Sequence, residues 1–469
     1  MVAIITDKIK QQLIASIFAD IQDSAAARGR YYIGISKAEP WNDSDIVSVP
    51  ANSNREERLF RYSLQSVKAV EAYSYVVPRK NWVSNTTYKA YDDNVDKISD
   101  PQSYSYYVIN QTNDVYVCVR QGVDANGLAT PSIFEPTSRT VQVERKNDGY
   151  VWKYLYTIST ADATNFLSAN FMPVKFVDTA INTDPYYSQF LVKTAAAARP
   201  KQILGFKVVN GGSGYTLSNV NTINSGNQIV VRGTSTKVAK AQLVRNGSNV
   251  ITSVQLQDSG VSGGANDGLA TGAGYNNATV VIPAPTTGTT ATAIPIFGPP
   301  RGLGFNPVVD LQATAIMFNI RPNDNVDGTF IVGNDYRQIG LIRSPLIADS
   351  AAAFTATSGR ALKQLKLPSA TSATFTNDAI ISADSSSGYV DYFDATNKLV
   401  WYHQTEATGF VPFVRNKTLT GGSVSVNIDS ARPAQVDPLS GEILYIDNRS
   451  VAIQRTAGQT EDIKIVIQL

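Results

Sequence analysis

The fold class follows most directly from one stretch, Asn147–Ile158, which has the sequence NDGYVWKYLYTI. Asn-Asp-Gly is a strong turn signal, and the residues after it are rich in Tyr, Val and Thr, which favour strands. Shorter runs of similar composition precede it, separated by turn residues, at Tyr104–Ile109, Val115–Val119 and Thr140–Val143. Short strands at this spacing are typical of sandwiches and other antiparallel folds, so the sequence predicts a mainly β protein.

Toward the N-terminus, helical patterns replace the strand patterns. Residues Thr6–Ala27 are predicted to form a helix, because apolar residues recur every four positions from Ile9 to Ile21. A strand is predicted at Tyr31–Ser36. A second amphipathic segment, Arg55–Tyr73, is predicted to form the second helix.

Toward the C-terminus, the chain first becomes rich in glycine. Two segments, Gly205–Thr216 and Ser253–Tyr275, each combine a strand pattern, a glycine-rich loop and an aromatic residue, which we interpret as a weak internal repeat. The Pro-rich stretch Pro283–Pro307 then indicates a domain boundary. Beyond it we predict six further strands, at Ala313–Ile320, Arg337–Ile342, Gly388–Phe393, Lys398–His403, Glu442–Ile446 and Glu461–Gln468. The strands Gly388–Phe393 and Lys398–His403 are predicted to form a hairpin around the turn Asp394–Asn397.

The composition narrows the function without identifying it. Only 17% of the residues are charged, against about 25% in typical soluble proteins. Such a surface suits a protein packed against other subunits, and it equally suits a large β protein with many turns. The net charge of +2 comes with no long basic run, which argues against nucleic-acid binding. No stretch approaches the ~18 consecutive apolar residues of a membrane-spanning helix.

Residues that could carry catalysis are few. The chain has one cysteine, Cys118, and one histidine, His403. Cys118 lies in a strand pattern and is predicted to be a buried, inert thiol. His403 is predicted to be an imidazole on a strand surface, since a nucleophilic or metal site would need further partners of these types. We therefore expect no cofactor and no metal.

Two other patterns could in principle indicate a binding site. The densest acidic group, Asp92, Asp93 and Asp96, lacks the closing Glu of a calcium loop and is predicted to be a solvated loop. The glycine loops Gly211–Gly214 and Gly272–Gly274 lack the Gly-Lys-Ser/Thr of a phosphate-binding loop. We expect them to be β-turns or bulges, followed by strand and turn residues and not by a helix. Paired carboxylates are not excluded by counting.

Six short motifs resemble one known family when they are taken in their order along the chain. They are AEPW at Ala38–Trp41, VPRKNW at Val77–Trp82, DGYVWKYL at Asp148–Leu155, RQIGLIRSPL at Arg337–Leu346, SGEILYIDNR at Ser440–Arg449 and QTEDIKI at Gln459–Ile465. In this order they are similar to the dimeric baseplate wedge subunit of T-even-type contractile-tailed bacteriophages. The resemblance covers Met1–Asp184 and Val308–Leu469. It does not extend to residues 200–300, and residues 375–430 are also additional.

The resemblance implies β-sandwich domains, one inserted into another. The sequence patterns add the N-terminal helices, and the segments beyond the resemblance add extra small β insertions. The resemblance also implies a homodimer that contacts other baseplate wedge proteins in the virion tail, assembled in the host cytoplasm, with no catalysis and no cofactor. The residues to which it assigns a structural or interface role are Glu39, Pro40, Trp41, Pro78, Arg79, Trp82, Asp148, Gly149, Trp152, Arg337, Pro345, Gly441, Glu442 and Arg449. Arg79 and Arg449 are candidates to pair with acids such as Glu39 or Glu442.

Together, the patterns and the resemblance predict six segments. They are residues 1–100 (N-terminal helices and the first part of the core β domain), 101–199 (an inserted β domain), 200–300 (a glycine-rich β insertion), 308–374 (the return to the core sandwich), 375–430 (a small β module) and 431–469 (the C-terminal strands of the core domain).

Two other functions remain open at this point. The Tyr-, Asn- and Gly-rich residues 200–300 suit a carbohydrate-binding tail or fibre-associated module. A lytic hydrolase is the third possibility, because paired carboxylates can cleave glycosidic bonds.

Overall fold

A computed structural model describes residues 7–23, 30–37, 41, 49–70, 72–95, 105–178, 183, 186–257, 268–322, 329–459 and 461–469. The predicted mainly β class is confirmed, with 38% strand and 14% helix. Among these residues, no helix is both long enough and apolar enough to cross a membrane.

The helices and strands have the following bounds. The helices are α1 Asp7–Asp23, α2 Asn54–Tyr62, α3 Thr160–Phe166, α4 Tyr186–Ala197, α5 Leu217–Ser225 and α6 Pro307–Asp310. The strands are β1 Tyr31–Ser36, β2 Leu64–Ala69, β3 Ala72–Pro78, β4 Tyr107–Ile109, β5 Asp114–Arg120, β6 Glu144–Arg145, β7 Val151–Thr157, β8 Phe171–Val174, β9 Ile203–Asn210, β10 Val230–Arg232, β11 Ala241–Arg245, β12 Ile251–Leu256, β13 Thr279–Val281, β14 Thr292–Phe297, β15 Ala315–Ile320, β16 Asp335–Arg343, β17 Ser358–Arg360, β18 Lys363–Lys366, β19 Ile380–Ala383, β20 Ser386–Asp394, β21 Leu399–His403, β22 Thr418–Gly421, β23 Val424–Asn427, β24 Ser430–Arg432, β25 Glu442–Gln454 and β26 Ile463–Gln468.

The chain divides into two compact units. Unit 1 consists of Met1–Ile14, Ser74–Met317 and Val466–Leu469, and unit 2 consists of Ala15–Tyr73 and Phe318–Ile465. Along the chain, the long segment of unit 1 therefore lies between the two segments of unit 2. The six finer domain boundaries remain predictions.

Unit 1 is organised around β7. This strand lies in an antiparallel sheet with the order β4-β5-β7-β6, and all of its residues are buried. Trp152 and Tyr154 belong to an aromatic core with Tyr88. Leu155 belongs to a second core that also contains Ile203 and other apolar residues of the glycine-rich region. A strand that is buried on both faces needs a layer on each side, and these two cores supply them.

The described part of the glycine-rich region of unit 1 contains three two-stranded antiparallel pairs, β9 with β14, β10 with β13, and β11 with β12. The helix α5 packs among them through Val220 and Ile223, which are buried. These side chains share the core of Leu155. The region is thus part of the packed interior of unit 1.

Unit 2 contains an antiparallel sheet with the order β17-β2-β1-β16-β25. Every residue of β1 is buried, and Gly34 lies opposite Gly340 on β16. A Cβ atom on Gly340 would lie 2.4 Å from Cζ of Phe60, so the ring of this α2 residue rests on the glycine. Phe60 is fully buried as a result.

A second sheet of unit 2 has the order β23-β22-β19-β20-β21-β18-β24. Its core contains Leu365, Ile381, Val400 and Leu419. The predicted hairpin around Asp394–Asn397 is confirmed, because β20 and β21 pair across this turn. The predicted module 375–430 lies within this sheet.

The N-terminal helix is confirmed as α1, although the predicted ends Thr6 and Ala27 lie outside the described residues. Its predicted apolar ridge is only partly right. Ile14 and Ile21 are buried, whereas Ile9 and Leu13 are exposed. Ile17 and Phe18 between them are partly buried, so the buried face follows the i, i+3, i+4, i+7 spacing of an amphipathic helix and begins at Ile14.

The predicted helix over Arg55–Tyr73 is wrong in its second half. The helix α2 ends at Tyr62, and the chain continues as β2 after Ser63. Val67 is buried where β2 lies between β1 and β17. Sheet pairing and burial outweigh the local helical pattern here.

The predicted strand Thr140–Val143 is also wrong, because β6 consists of Glu144–Arg145. The Glu144 carboxylate accepts hydrogen bonds from the backbone N–H of Thr137 at 2.9 Å and of Ser138 at 3.0 Å. This folds the segment back on itself, so that it cannot extend as a strand.

We predict that Gly340→Ala lowers the free energy of unfolding of unit 2 by roughly 1–3 kcal/mol, the usual cost of overpacking a core. Urea unfolding measures it. Gly247→Ala is the matched control, because among the described residues no atom beyond its own chain neighbours lies within 4 Å of the Cβ position there. In the double variant with Phe60→Leu, part of the loss should be recovered. Equal stabilities of the Gly340→Ala and Gly247→Ala proteins would contradict the prediction.

Candidate functional site

The turn before β7 carries two of the predicted signature residues, Asp148 and Gly149. One carboxylate oxygen of Asp148 accepts hydrogen bonds from the backbone N–H of Ile133 at 2.8 Å and of Phe134 at 3.2 Å. It also accepts one from the Ser132 hydroxyl at 3.2 Å. Gly149 has φ = +87°, which glycine adopts without strain. Asp148 therefore ties a separate loop to the start of β7.

Trp82 joins the same network. Its indole N–H donates to the Ser132 hydroxyl at 3.3 Å, and its backbone N–H donates to the carbonyl of Ile109 at 2.8 Å. Trp152 lies behind this network, fully buried and stacked on Tyr150 with ring centroids 5.7 Å apart. The structure thus brings Trp82, Asp148, Gly149 and Trp152 together, and we call these residues, with Ser132, the Trp82 corner.

The surface of the Trp82 corner is apolar. Val83 follows Trp82 and is 55% exposed, and the two residues whose amides bind Asp148, Ile133 and Phe134, are 51% and 42% exposed. The backbone of Ile133 and Phe134 is held by charge-assisted hydrogen bonds to Asp148, which are stronger than neutral ones, and the backbone N–H of Val83 donates to the Tyr88 hydroxyl at 2.6 Å. The corner therefore presents a rigid apolar surface.

Pro78 and Arg79 lie at the end of β3 in unit 1. Pro78 pairs with Phe171 on β8, and its carbonyl accepts from the Tyr107 hydroxyl at 2.8 Å. The Arg79 guanidinium donates to the Asn81 side chain at 2.8 Å and to the Ser168 carbonyl at 3.0 Å. Its proposed partner Glu39 lies outside the described residues.

A second corner forms in unit 2 around Gly441, immediately before β25. Gly441 has φ = +73°, and a Cβ there would lie 2.7 Å from the Arg343 carbonyl and 3.1 Å from Cα of Pro345. The Arg61 guanidinium donates to the carbonyls of Gly441 at 2.7 Å and Ser440 at 2.5 Å. Burial lowers the pKa of Arg61, and the charges of nearby acids oppose that shift.

The charged pairs of unit 2 differ from the expected ones. Glu442 pairs with Arg343 at 3.4 Å, and Arg449 pairs with Asp447 at 2.5 Å. The suggested pairing of Arg449 with Glu442 is therefore wrong, since each has another partner on or beside its own strand. Arg337 pairs with Asp335 at 2.9 Å.

Trp41 is the described residue of the first motif, while Glu39 and Pro40 lie outside the described residues. Its indole N–H donates to the Arg449 carbonyl at 2.8 Å. The Lys37 ammonium lies 4.8 Å from the centroid of its ring, a cation–π distance. Two motifs that are far apart in the sequence thus meet in unit 2.

Cys118 is confirmed as a buried thiol, and burial raises its pKa well above the usual range. It is therefore protonated at neutral pH and a poor nucleophile. Within the described part of the chain, no group of three or more His, Cys, Asp or Glu residues could hold a metal ion.

His403 is not on a strand surface as predicted. It is buried, and its Nδ1 lies 2.9 Å from a carboxylate oxygen of Asp391, which is also fully buried. The pairing of β20 with β21 shifts register between Val390 and Tyr392, so Asp391 is the extra residue of a β-bulge. A bulge cannot be read from the hairpin pattern, which is why sequence analysis missed this pair.

The expectation that no helix follows the glycine loops is wrong for the first loop and right for the second, which is followed by β13. Helix α5 begins at Leu217, three residues after Gly214. A Cβ on Gly214 would lie 1.7 Å from the Thr287 carbonyl oxygen, so the protein's own backbone fills the loop where a phosphate would bind. The backbone N–H of Ala291 donates to the Tyr215 hydroxyl at 3.0 Å.

The second glycine loop, Gly272–Gly274, is also filled by the protein's own backbone. Gly272 and Gly274 both have positive φ and approach the backbone of residues 236–239. The hydroxyl of Tyr275 accepts from the backbone N–H of Ala239 at 2.9 Å. The two halves of the weak repeat thus share one device, in which glycines allow a close approach and a tyrosine hydroxyl accepts a backbone hydrogen bond.

We predict that Asp148→Ala lowers the free energy of unfolding by about 2–3 kcal/mol, because the amides of Ile133 and Phe134 and the Ser132 hydroxyl lose a charged acceptor. Guanidinium unfolding followed by tryptophan fluorescence measures it. Asp178→Ala is the control, since the Asp178 side chain is 82% exposed in its ion pair with Lys193 and such pairs contribute at most about 1 kcal/mol. A loss no larger than that of the control would refute the role of Asp148.

Neither a known protein-family model nor a curated protein matches this chain. The resemblance to the wedge family therefore rests on the six motifs alone.

Proposed function

We propose that this chain is a structural subunit of the tail baseplate wedge of a contractile-tailed bacteriophage. It forms a homodimer, contacts neighbouring wedge proteins, and belongs to the virion after assembly in the host cytoplasm. It is not an enzyme, needs no cofactor, and binds neither nucleic acid nor membrane.

The observation that carries the proposal is the Trp82 corner. The motif residues of this corner have structural roles. Trp82 and Asp148 hold the backbone through hydrogen bonds, and Trp152 fills a core. They do not converge on an open polar pocket. Beside them stand the exposed side chains of Val83, Ile133 and Phe134. Rigid apolar patches of this kind mark protein–protein contacts.

The order of the two units along the chain supports the finer fold that the family implies. We propose that both units are built on β-sandwiches and that the one formed mainly by Ser74–Met317 is inserted into the other. A particle that transmits the force of sheath contraction needs stiff subunits with large interfaces, and stacked antiparallel sheets provide that stiffness.

The alternative of a carbohydrate-binding module in residues 200–300 finds no support in its glycine loops. These loops are filled by the backbone of residues 287–291 and 236–239. The lytic hydrolase needs an accessible carboxylate pair in a substrate cleft, whereas Asp148, the acid of the motif turn, is bound to the backbone N–H groups of Ile133 and Phe134.

We predict that the purified chain is a dimer by sedimentation and that it joins wedge proteins encoded by the same phage. The double variant Ile133→Lys, Phe134→Lys should lower one of these associations at least tenfold, because it places charge in an apolar contact. Leu217→Lys, which changes another exposed leucine in unit 1, should leave both unchanged.

A strictly monomeric chain that also fails to join any wedge protein would overturn the proposed function. Circular dichroism of each variant separates a lost contact from a lost fold.

A further inference from the structure

A cleft of about 310 Å³ opens in unit 2. Its walls come from the end of α2, the strands β18 and β21, and the loops around residues 349, 410 and 437. This volume is at the lower end of the range for small-molecule sites. It suits one or two small rings and is too small for a folded segment of another protein.

One wall of the cleft is aromatic. The rings of Tyr62 and Phe410 lie 5.0 Å apart with 45° between their planes, and Phe410 is 45% exposed. An exposed aromatic face contributes a large apolar contact area at little conformational cost. The C–H face of a sugar ring is a natural partner for such a surface.

The other walls carry charges of both signs. Lys363 offers an ammonium, which is a donor only, and Asp349 and Asp437 offer carboxylates, which are acceptors only. Desolvation lowers the pKa of Lys363, and the charge of Asp349 opposes that shift. An anionic ligand would be repelled by the two carboxylates, and a cationic ligand would be repelled by the ammonium. A neutral polyol uses both, because each hydroxyl donates and accepts.

The ammonium of Lys363 is held in place by a chain of hydrogen bonds. The Lys363 ammonium donates to the Gln404 side-chain oxygen at 2.7 Å. The Gln404 amide in turn donates to the carbonyls of Ser387 and Val411, each at 2.8 Å. His403 also lines the cleft and is fixed by the buried Asp391. A cleft with fixed polar groups binds without first ordering them.

We propose that this cleft binds a neutral carbohydrate, with a sugar ring packed on Phe410 and Tyr62 and its hydroxyls hydrogen-bonded to Lys363, Asp349 and Asp437. The proposal is independent of the wedge function, whose test measures association between proteins.

The test titrates the full-length chain with D-glucose, N-acetyl-D-glucosamine, maltose and chitobiose, observed by saturation-transfer NMR. At least one of them should bind with a dissociation constant of about 1 mM or below. D-glucuronate and D-glucosamine carry a charge on similar rings and should bind at least about fivefold more weakly than the matching neutral sugar.

Two variants locate the site. Phe410→Ala and Asp349→Asn should each weaken binding of the sugar at least tenfold, and both positions are exposed, so the fold tolerates the changes. Tyr187→Ala, an exposed aromatic of α4, is the matched control and should leave binding unchanged.

Three results would overturn the proposal: no neutral sugar bound at about 50 mM, a charged sugar bound more tightly than its neutral counterpart, or binding that survives both variants.

Discussion

The burial of β7 on both faces is the constraint on which unit 1 depends. Every residue of this strand is buried, so neither face can be left to water. The aromatic side chains of Trp152 and Tyr154 require a layer that contains Tyr88. Leu155 requires another, which the glycine-rich region supplies through Ile203 and its neighbours. Residues 200–300 thus complete a core that would otherwise be open.

The same constraint explains why Asp148 lies where it does. Because β7 has no exposed face, the chain that leads into it has to follow one path, and the turn before β7 determines that path. The Asp148 carboxylate joins the turn to the backbone of Ile133 and Phe134. The Trp82 indole reaches this carboxylate through the Ser132 hydroxyl. Two motifs that are distant in sequence therefore act as one structural element.

Local patterns in the sequence were sufficient where neighbouring residues determine the structure. The turn at Asn147–Gly149, the strand after it, and the hairpin around Asp394–Asn397 are all present as expected. The start of α3 is also determined locally, because the Ser159 hydroxyl accepts from the backbone N–H of Asp162 at 3.1 Å, as in a capping box.

The sequence was insufficient where distant residues determine the structure. Nothing near Leu64 indicates that β2 will pair with β17, which is nearly three hundred residues away. The pairing of His403 with Asp391 depends on a bulge, and the contact of Arg61 with the Gly441 carbonyl depends on two loops folding together. Side-chain partners of this kind follow from the tertiary fold and have no signature in the local sequence.

The pairing of β1 with β16 also has a consequence for synthesis on the ribosome. Ser36 of β1 lies opposite Gln338, so about 300 residues have to be translated before this edge is covered. At roughly 5–20 residues per second, the apolar run Tyr31–Ser36 waits about 15–60 s for its partner. During that time it is an uncovered edge strand, which is prone to pair with other chains. The rate of translation and the availability of chaperones therefore bear on how much of this protein reaches its native state.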